Sequence, residues 1–505
     1  MPLLTKNRKK KPARFGALGR SVKTGLTEEK PRLQHVPEKV LMGVIFTLLE
    51  VLFLLPSGAS GLQVLGAFVL IVTLNYFVAR YLVAFHRPLL SSRRRLAGAL
   101  TVAALLLLVG EAAPSFAESI GPQLVGLVVP LSLVALVLRI ACGPRLGIEA
   151  SAYLAALLGL QGMTNGASPV GPFSPWQCNV LLFLGASVGC LSLGRIRRRM
   201  EPLRVGVVIG LTHLILYIGL RLLDGANFLG PGNVQDLEVS LALVFHGLLV
   251  GFVVSGTLPL IELAFDVMTD MTLLELSNQN EHPLLRRLLI EAPGTYHHSF
   301  IVANLSESAA AAIGADPLLT RVGAYFHDIG KMNKPEYFAE NAPDARDRHE
   351  KIPPEMSALI ISAHVKDGLE MAEYYDLPRP LRDFIPMHHG TTCIEYFYHE
   401  ALQEGRPHMQ IEQHAFRYQG PRPNTRETAI VMMADSVEAA SRSLSDPTPA
   451  RIEKIVHDIM MKKLMDGQLD DCPLTLRDLT RIEDRFCQVL LGIYHTRPRY
   501  PGQKE

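Results

Sequence analysis

Two hydrophobic rhythms divide the chain. Between Val40 and Phe265 apolar residues come in continuous runs, at 40–55, 62–85, 96–110, 124–138, 146–160, 180–193, 205–222 and 239–265. A helix that is apolar all round is surrounded by lipid or by other helices, and a bilayer core needs roughly 20 such residues per crossing. The pattern predicts about eight membrane helices, several reaching full length only by including small residues at their ends. From Met271 the rhythm changes. Leu273-Leu274, Leu284-Leu285 and Leu288-Leu289 recur at helical spacing, and 304–313, 357–375 and 449–464 read the same way. Alternating strand patterns and phosphate-cradling glycine loops are absent, which argues against Rossmann and P-loop chemistry. The predicted class is all-α: a polytopic transmembrane helix bundle followed by an all-helical cytoplasmic domain. The expected divisions are a basic tail over 1–39, a membrane region over 40–265, a helical linker over 266–291 and a globular domain over 292–500.

Charge sharpens this division. Residues 40–265 hold 13 Arg, no Lys and 9 Asp or Glu, so 22 charges in 226 residues, against 76 in the other 279. A wholly soluble enzyme is excluded. Lys and Arg mark cytoplasmic loops, and the basic clusters are Lys6 to Arg14, Arg87 with Arg93 to Arg95, Arg139 with Arg145, and Arg195 to Arg204. With the runs numbered as above, all four fall on one side, while 111–123 and 224–238 on the other are acidic or neutral. Both termini are therefore expected in the cytoplasm. The first run follows a long basic leader and lacks an A-x-A site, so it is read as a span and not as a cleaved signal peptide. The leader reads as a topology signal, with contact to anionic lipid as the alternative.

Net charge is +8 over 1–39, +4 over 40–265 and −10 over the rest. An acidic soluble half argues against binding a nucleic-acid polymer, which needs basic surface for phosphates. The six Cys are scattered, with no CxxC pair, and imply neither a disulfide framework nor a zinc knuckle. Glu50, Arg80, Glu149, His213, Arg221, His246 and Glu262 fall inside or at the ends of spans, where a charge is costly unless paired or wetted. They could line a transport route or pair within the bundle. No repeated half with matching broken helices accompanies them, which disfavours a transporter.

Histidine carries the chemistry. Eleven of the 17 His lie between His282 and His414. They include His297-His298, the dyad His327-Asp328, His364 and His388-His389, and Asp435 follows in Met433-Ala-Asp-Ser. Neutral imidazoles with carboxylates suit metals such as Fe, Mn or Zn. The set exceeds what one tetrahedral site can use. Two metals sharing a bridging carboxylate would use all of it, at a spacing of roughly 3.5–4 Å suited to in-line phosphoryl displacement. Any one of these His, taken alone, reads more simply as buried and satisfied.

Longer motifs make the pattern specific. His327-Asp328-Ile-Gly-Lys331 resembles the signature of the HD phosphohydrolase superfamily. Leu273-Leu-Glu-Leu-Ser-Asn278, Ala292-Pro-Gly-Thr-Tyr-His-His-Ser299, Gly323-Ala-Tyr-Phe-His-Asp-Ile-Gly-Lys331, Tyr337-Phe-Ala-Glu-Asn341, His388-His-Gly-Thr391 and Phe416-Arg-Tyr-Gln-Gly-Pro421 resemble one branch of it, the bacterial seven-transmembrane HD receptors, which are membrane cyclic-di-AMP phosphodiesterases. The likeness runs from about Leu62 to Tyr500 and makes 292–500 an HD phosphohydrolase domain. It implies one metal held by His298, His327, Asp328 and Asp435, and a second by Asp328, His364, His388 and His389. Asp328 bridges them. His297 is then left to support the fold or the ligands' surroundings. Lys331, four residues after His327, is expected on the same helix face, where it would neutralise a phosphate oxygen as charge develops; an exposed helix-end Lys is the plainer reading.

The resemblance also implies two divalent cations, Fe or Mn, and hydrolysis of cyclic-di-AMP to 5′-pApA. The partners it implies are the cyclic dinucleotide, the lipid bilayer and a second copy of the chain. Two departures stand out. The large extracellular domain that usually follows the family's first span is replaced by 56–61, and Asp347-Arg-His-Glu-Lys351 stands where relatives tend to carry Asn-Pro-His-Asp, which leaves any role of His349 open. Cyclic-di-GMP hydrolysis is the alternative within enzymes, but its Gly-Tyr-Pro signature is replaced by Gly390-Thr391-Thr392. A membrane receptor that binds nucleotide without cleaving it is the alternative outside them, although it would be expected to have lost ligands.

Overall fold

The structure is a computed structural model of the chain. It describes residues 36–55, 60–116, 129–165, 174–225, 234–278, 281–404, 412–444 and 446–494. Nearly all of the basic tail and the short link at 56–59 lie outside these residues. The N-terminal half forms helices at Val36–Leu54, Gly61–Phe85, Arg93–Ala112, Leu131–Cys142, Pro144–Asn165, Pro175–Ser192, Glu201–Leu223 and Val234–Phe265. Each apolar run falls on one of them, although 124–128 lies outside the described residues. Gly61–Phe85, Arg93–Ala112, Glu201–Leu223 and Val234–Phe265 are long and apolar enough to cross a membrane.

The two last helices show how such a bundle holds together. In lipid there is little hydrophobic drive between helices, so close approach of small residues supplies the packing. Gly206 and Gly210 face Gly247 and Gly251. A Cβ added to Gly247 would stand 2.3 Å from the Gly210 nitrogen, and one added to Gly206 would stand 2.4 Å from the Gly247 carbonyl oxygen. Further along the pair, Tyr217 and Arg221 donate to Asp236 Oδ1 at 2.6 and 2.9 Å.

The three other carboxylates assigned to spans are hydrogen-bonded. Glu50 is fully buried and accepts hydrogen bonds from Asn75 and Tyr153. Glu149 accepts from Tyr81 and Arg145. Glu262 accepts from the Thr269 nitrogen at 2.7 Å and Thr272 Oγ1 at 2.8 Å, tying the last long helix to the chain that follows. His213 is buried with its ring 5.6 Å from that of His246, and Arg80 is exposed.

The C-terminal half is helical, and its one β-type pairing among the described residues is the isolated bridge Cys393–Arg417. Several helices open on proline at the first turn, among them Pro283–Glu291, Pro293–Ile313, Pro317–Phe326 and Pro354–Tyr374, where the missing N–H is no loss and φ is pre-set. The Pro293–Ile313 helix ends at Gly314, whose φ of 68° suits a left-handed cap. This helix is central: Val302, Ala303, Leu305, Ala309 and Ala310 are fully buried. It packs against Pro317–Phe326, Arg426–Arg442 and Leu476–Tyr494, and the last of these buries Ile482, Phe486 and Leu490 at four-residue spacing. The basic loops of the first half gather where the second half begins: Arg94 and Arg95 reach Asp266, and Arg195 and Arg197 reach Asp270.

The glycine seam gives a signed test. Gly247→Ala forces a Cβ into backbone and should lower the stability of the detergent-solubilised protein by roughly 1–3 kcal/mol. Gly219→Ala, with nothing within 4 Å of its added Cβ, should leave stability unchanged or raise it by up to about 1 kcal/mol. Thermal denaturation of both variants checks this, and equal shifts would refute the seam.

Candidate metal centre

Five segments of the C-terminal half converge on Asp328. The Pro317–Phe326 helix stops just before His327; Asp328 has φ −112° and ψ 15°, and the chain tightens into a 3₁₀ turn over Ile329–Asn333. The turn lies against the helix that carries His364, and only glycine fits there: a Cβ at Gly330 would be 1.9 Å from the His364 carbonyl oxygen. His298 comes from Pro293–Ile313, His364 from Pro354–Tyr374, His388 and His389 from the turn after Phe384–Met387, and Asp435 from Arg426–Arg442. All seven residues assigned to the metals are therefore in one place, and they form two groups that share Asp328: His298, His327, Asp328 and Asp435, and Asp328, His364, His388 and His389.

The two oxygens of Asp328 face different ways. Oδ2 lies 3.2 Å from His327 Nε2 and 3.7 Å from His298 Nε2. Oδ1 lies 3.3 Å from His364 Nε2 and 3.5 Å from His388 Nε2. The rings are held from behind. His327 Nδ1 donates to the Ala324 carbonyl at 2.6 Å, His364 Nδ1 to Ile361 at 2.6 Å and His388 Nδ1 to Ile385 at 2.7 Å. His298 Nδ1 is bound to Glu438, and its Nε2 lies 3.0 Å from Asp435 Oδ1. Each bond fixes a tautomer and turns the Nε2 lone pair inward, the arrangement that histidine ligands of metals adopt. His389 stacks on Tyr418 at 4.1 Å between ring centroids, with Nδ1 3.7 Å from Asp435 Oδ2.

Cations fit this cage. Asp328, His327, His364 and His388 are almost wholly buried, yet His327 Nε2 and Asp328 Oδ1 make no hydrogen bond. His364 Nε2 and His388 Nε2 stand 3.4 Å apart, both with lone pairs inward, which is unfavourable with nothing positive between them. Among the described residues, the Lys and Arg ion pairs of four carboxylates, Asp328, Asp435, Glu340 and Glu438, are made with Lys331 and Arg442. Titration reflects the imbalance. Burial alone would push Asp328 up, but His327 and Lys331 hold it well below the usual carboxylate range. Burial likewise favours neutral His327, and Asp328 outweighs it, raising that ring to about 10. On the other side burial prevails: it lowers His364 to about 4 and holds His389 well below the ordinary histidine range.

Lys331 departs from the expected placement. Because the α-helix ends at Phe326, it shares no helix face with His327; it reaches the site through its side chain, with Nζ 2.7 Å from Asp328 Oδ2 and 2.9 Å from Glu340 Oε1. It is not an exposed helix-end lysine. His297 is exposed, whereas His298 beside it is buried. His349 lies apart from the cage, bonded to the Tyr337 carbonyl at 3.0 Å and packed against Phe397. Sequence reasoning missed Glu438, which is bound to both His298 and Arg442. Its signal was the three-residue spacing from Asp435, which puts both carboxylates on one face of the same helix.

The chain is similar to known proteins over both halves. Residues 62–269 match the family described as 7TM receptor with intracellular HD hydrolase, and residues 295–440 match the HD domain family. The cyclic-di-AMP phosphodiesterase PgpH of Bacillus subtilis (strain 168) is 38% identical over 404 residues, covering 79% of this chain and 55% of the relative. Its namesake from Listeria monocytogenes serotype 1/2a (strain 10403S) is 39% identical over 326 residues, covering 65% of this chain and 44% of the relative. The chain thus spans about half the length of the curated relatives it matches. The crystal structure of the L. monocytogenes PgpH HD domain in complex with cyclic-di-AMP is 45% identical, covering 43% of this chain and all of that one, with a TM-score of 0.41. An all-α chain with membrane helices ahead of an HD domain is therefore similar, over both halves, to the 7TM receptors with an intracellular HD hydrolase.

Proposed function

We propose that the chain is a metal-dependent phosphodiesterase of the bacterial inner membrane that hydrolyses cyclic-di-AMP to linear 5′-pApA. The observation that carries this reading is Asp328, a buried carboxylate whose two oxygens each face a separate set of inward-turned imidazoles. His298, His327, Asp328 and Asp435 would hold one cation, and Asp328, His364, His388 and His389 the other. Imidazole and carboxylate donors without a thiolate suit Fe or Mn. When bound, two divalent cations supply Lewis-acid polarisation of the phosphodiester and a nucleophile at neutral pH. The chain's own groups do the rest. The Nδ1 bonds to backbone carbonyls hold three rings in register, and Glu438 does the same for His298. Lys331, steadied by Glu340, presents a positive charge at the rim of the cage and can donate to a phosphate oxygen as charge builds there.

Adenine over guanine is favoured by the 38% identity to a relative named a cyclic-di-AMP phosphodiesterase and by Gly390-Thr391-Thr392 in place of Gly-Tyr-Pro. The same reading takes 1–39 as a cytoplasmic tail, 40–265 as a membrane region of about eight helices, 266–291 as linker and 292–500 as the catalytic domain.

Metal content per chain tests the ligand assignment. Asp328→Ala should lose both cations and turnover while keeping the helical circular dichroism. His364→Ala should empty mainly one site, and His349→Ala neither. Glu438→Ala should keep every ligand yet weaken binding about 10–100-fold. An Asp328→Ala protein that held two metals and cleaved substrate would end the two-metal account.

For substrate choice, kcat/KM at matched metal loading should be higher for cyclic-di-AMP than for cyclic-di-GMP; the reverse order would move the protein to the alternative substrate. Both termini should be cytoplasmic, as the basic loops clustered beside the C-terminal half require. A reporter fused after Glu505 that is active only outside the cytoplasm would overturn that orientation.

A further inference from the structure

The stretch between the Pro175–Ser192 and Glu201–Leu223 helices is a basic loop belonging to the membrane half, yet its strongest contacts are with the C-terminal half. Arg195 Nη2 lies 2.6 Å from Asp270 Oδ1 and 2.7 Å from Asp316 Oδ2, and its Nε lies 2.8 Å from Asp270 Oδ2. Arg197 Nε adds a contact to Asp270 Oδ2 at 3.0 Å. Asp270 is buried, so these pairs are less screened than surface ones. One guanidinium fork thus clamps two carboxylates from separate segments, which its rigid planar geometry suits.

Asp316 is not an incidental partner. Its other oxygen, Oδ1, accepts from the backbone nitrogens of Leu318 and Leu319 at 3.1 Å each, capping the Pro317–Phe326 helix. That helix runs ten residues and delivers His327 and Asp328 directly from its end. The Asp316 backbone nitrogen in turn donates to Glu427 Oε1 at 2.9 Å, in the first turn of the helix that carries Asp435 and Glu438. The residue that Arg195 grips therefore caps the helix leading to His327 and Asp328 and bonds to the first turn of the helix carrying Asp435. Packing makes the joint solid: from the short Asp270–Leu276 helix, Met271 packs into the membrane-half core and Leu273 into the C-terminal core.

We infer that Arg195 is a positioning residue for the metal cage, acting through Asp316 and the Pro317–Phe326 helix on His327 and Asp328, so that movement of the membrane helices is read out as a change in the cage. The inference rests on the ligand assignment proposed above and deepens it by naming the contact through which the membrane half controls the site. A cage whose four Nε2 atoms must meet shared cations tolerates little displacement, because a ligand off its direction weakens every bond to the metal.

The test uses the full chain in nanodiscs, stripped of metal and titrated with Mn(II), with free Mn(II) read by electron paramagnetic resonance. Asp316→Asn retains a good helix cap but gives up the charge that Arg195 holds. Asp316→Asn and Arg195→Gln should each weaken Mn(II) binding about tenfold, the lower end of what orienting partners of metal ligands are worth. The double variant should be no weaker than the weaker single one, since both break the same contact. Arg199→Gln, at the outer pair with Glu275 3.5 Å away, should bind as the parent does. Wild-type affinity in Asp316→Asn, or additive losses in the double variant, would overturn the inference, and Asp316→Asn carries the test alone if Arg195→Gln does not fold. A parent protein that binds Mn(II) but cleaves no cyclic dinucleotide would instead overturn the proposed function and leave this contact standing.

Discussion

Everything in the C-terminal half is arranged around the cost of burying the Asp328 carboxylate. It is 1% exposed with Oδ1 making no hydrogen bond, and an ionised carboxyl in that position is tenable only beside compensating positive charge. Lys331 supplies one unit, held by Glu340. His327, raised to about 10 by Asp328, supplies a second, and the inward-turned rings of His364 and His388 supply directed lone pairs, which attract cations and do nothing for an anion alone. The fold therefore makes most sense as a container for positive charge. The glycine at 330, the abrupt end of the Pro317–Phe326 helix and the backbone bonds behind each ring all serve to bring that one carboxylate to the middle of four histidines.

The sequence was legible where composition alone decides the outcome. Lipid demands continuous apolarity, so the helices of residues 36–265 could be read from runs such as 239–265. The all-α class followed from helical spacing after Met271. The histidines stood out because few residue types bind metals and two adjacent pairs are unusual. Legibility failed where partner choice is a tertiary matter. Glu438 is one glutamate among many until the fold brings His298 to it, and Lys331 read as a helix residue because nothing local announces that Gly330 must press against the His364 carbonyl.

The same limit applies between the halves. Arg195 to Arg204 is conspicuous as a basic cluster and was read as a topology signal. Charge count carries that meaning without any partner. Finding that Arg195 also closes on Asp270 and Asp316 required the positions of residues 75 and 121 places further along the chain. A cluster can satisfy the membrane's electrostatic rule and a specific ion pair at once, because the first needs only total charge and the second only geometry.

The length of the last membrane-half helix has its own consequence. Val234–Phe265 has 32 residues and is about 48 Å long, whereas the hydrocarbon core is roughly 30 Å thick. A tilt of about 20° shortens its reach along the normal only slightly. The excess must therefore stand in the headgroup layers or beyond them, at the first turns with Gln235, Asp236 and Glu238 as well as at the end bearing Glu262. The C-terminal half follows from one end of this stalk. A bilayer that thickens or thins around the bundle would shift how much of that stalk is immersed, making hydrophobic thickness a mechanical variable to which this architecture is exposed.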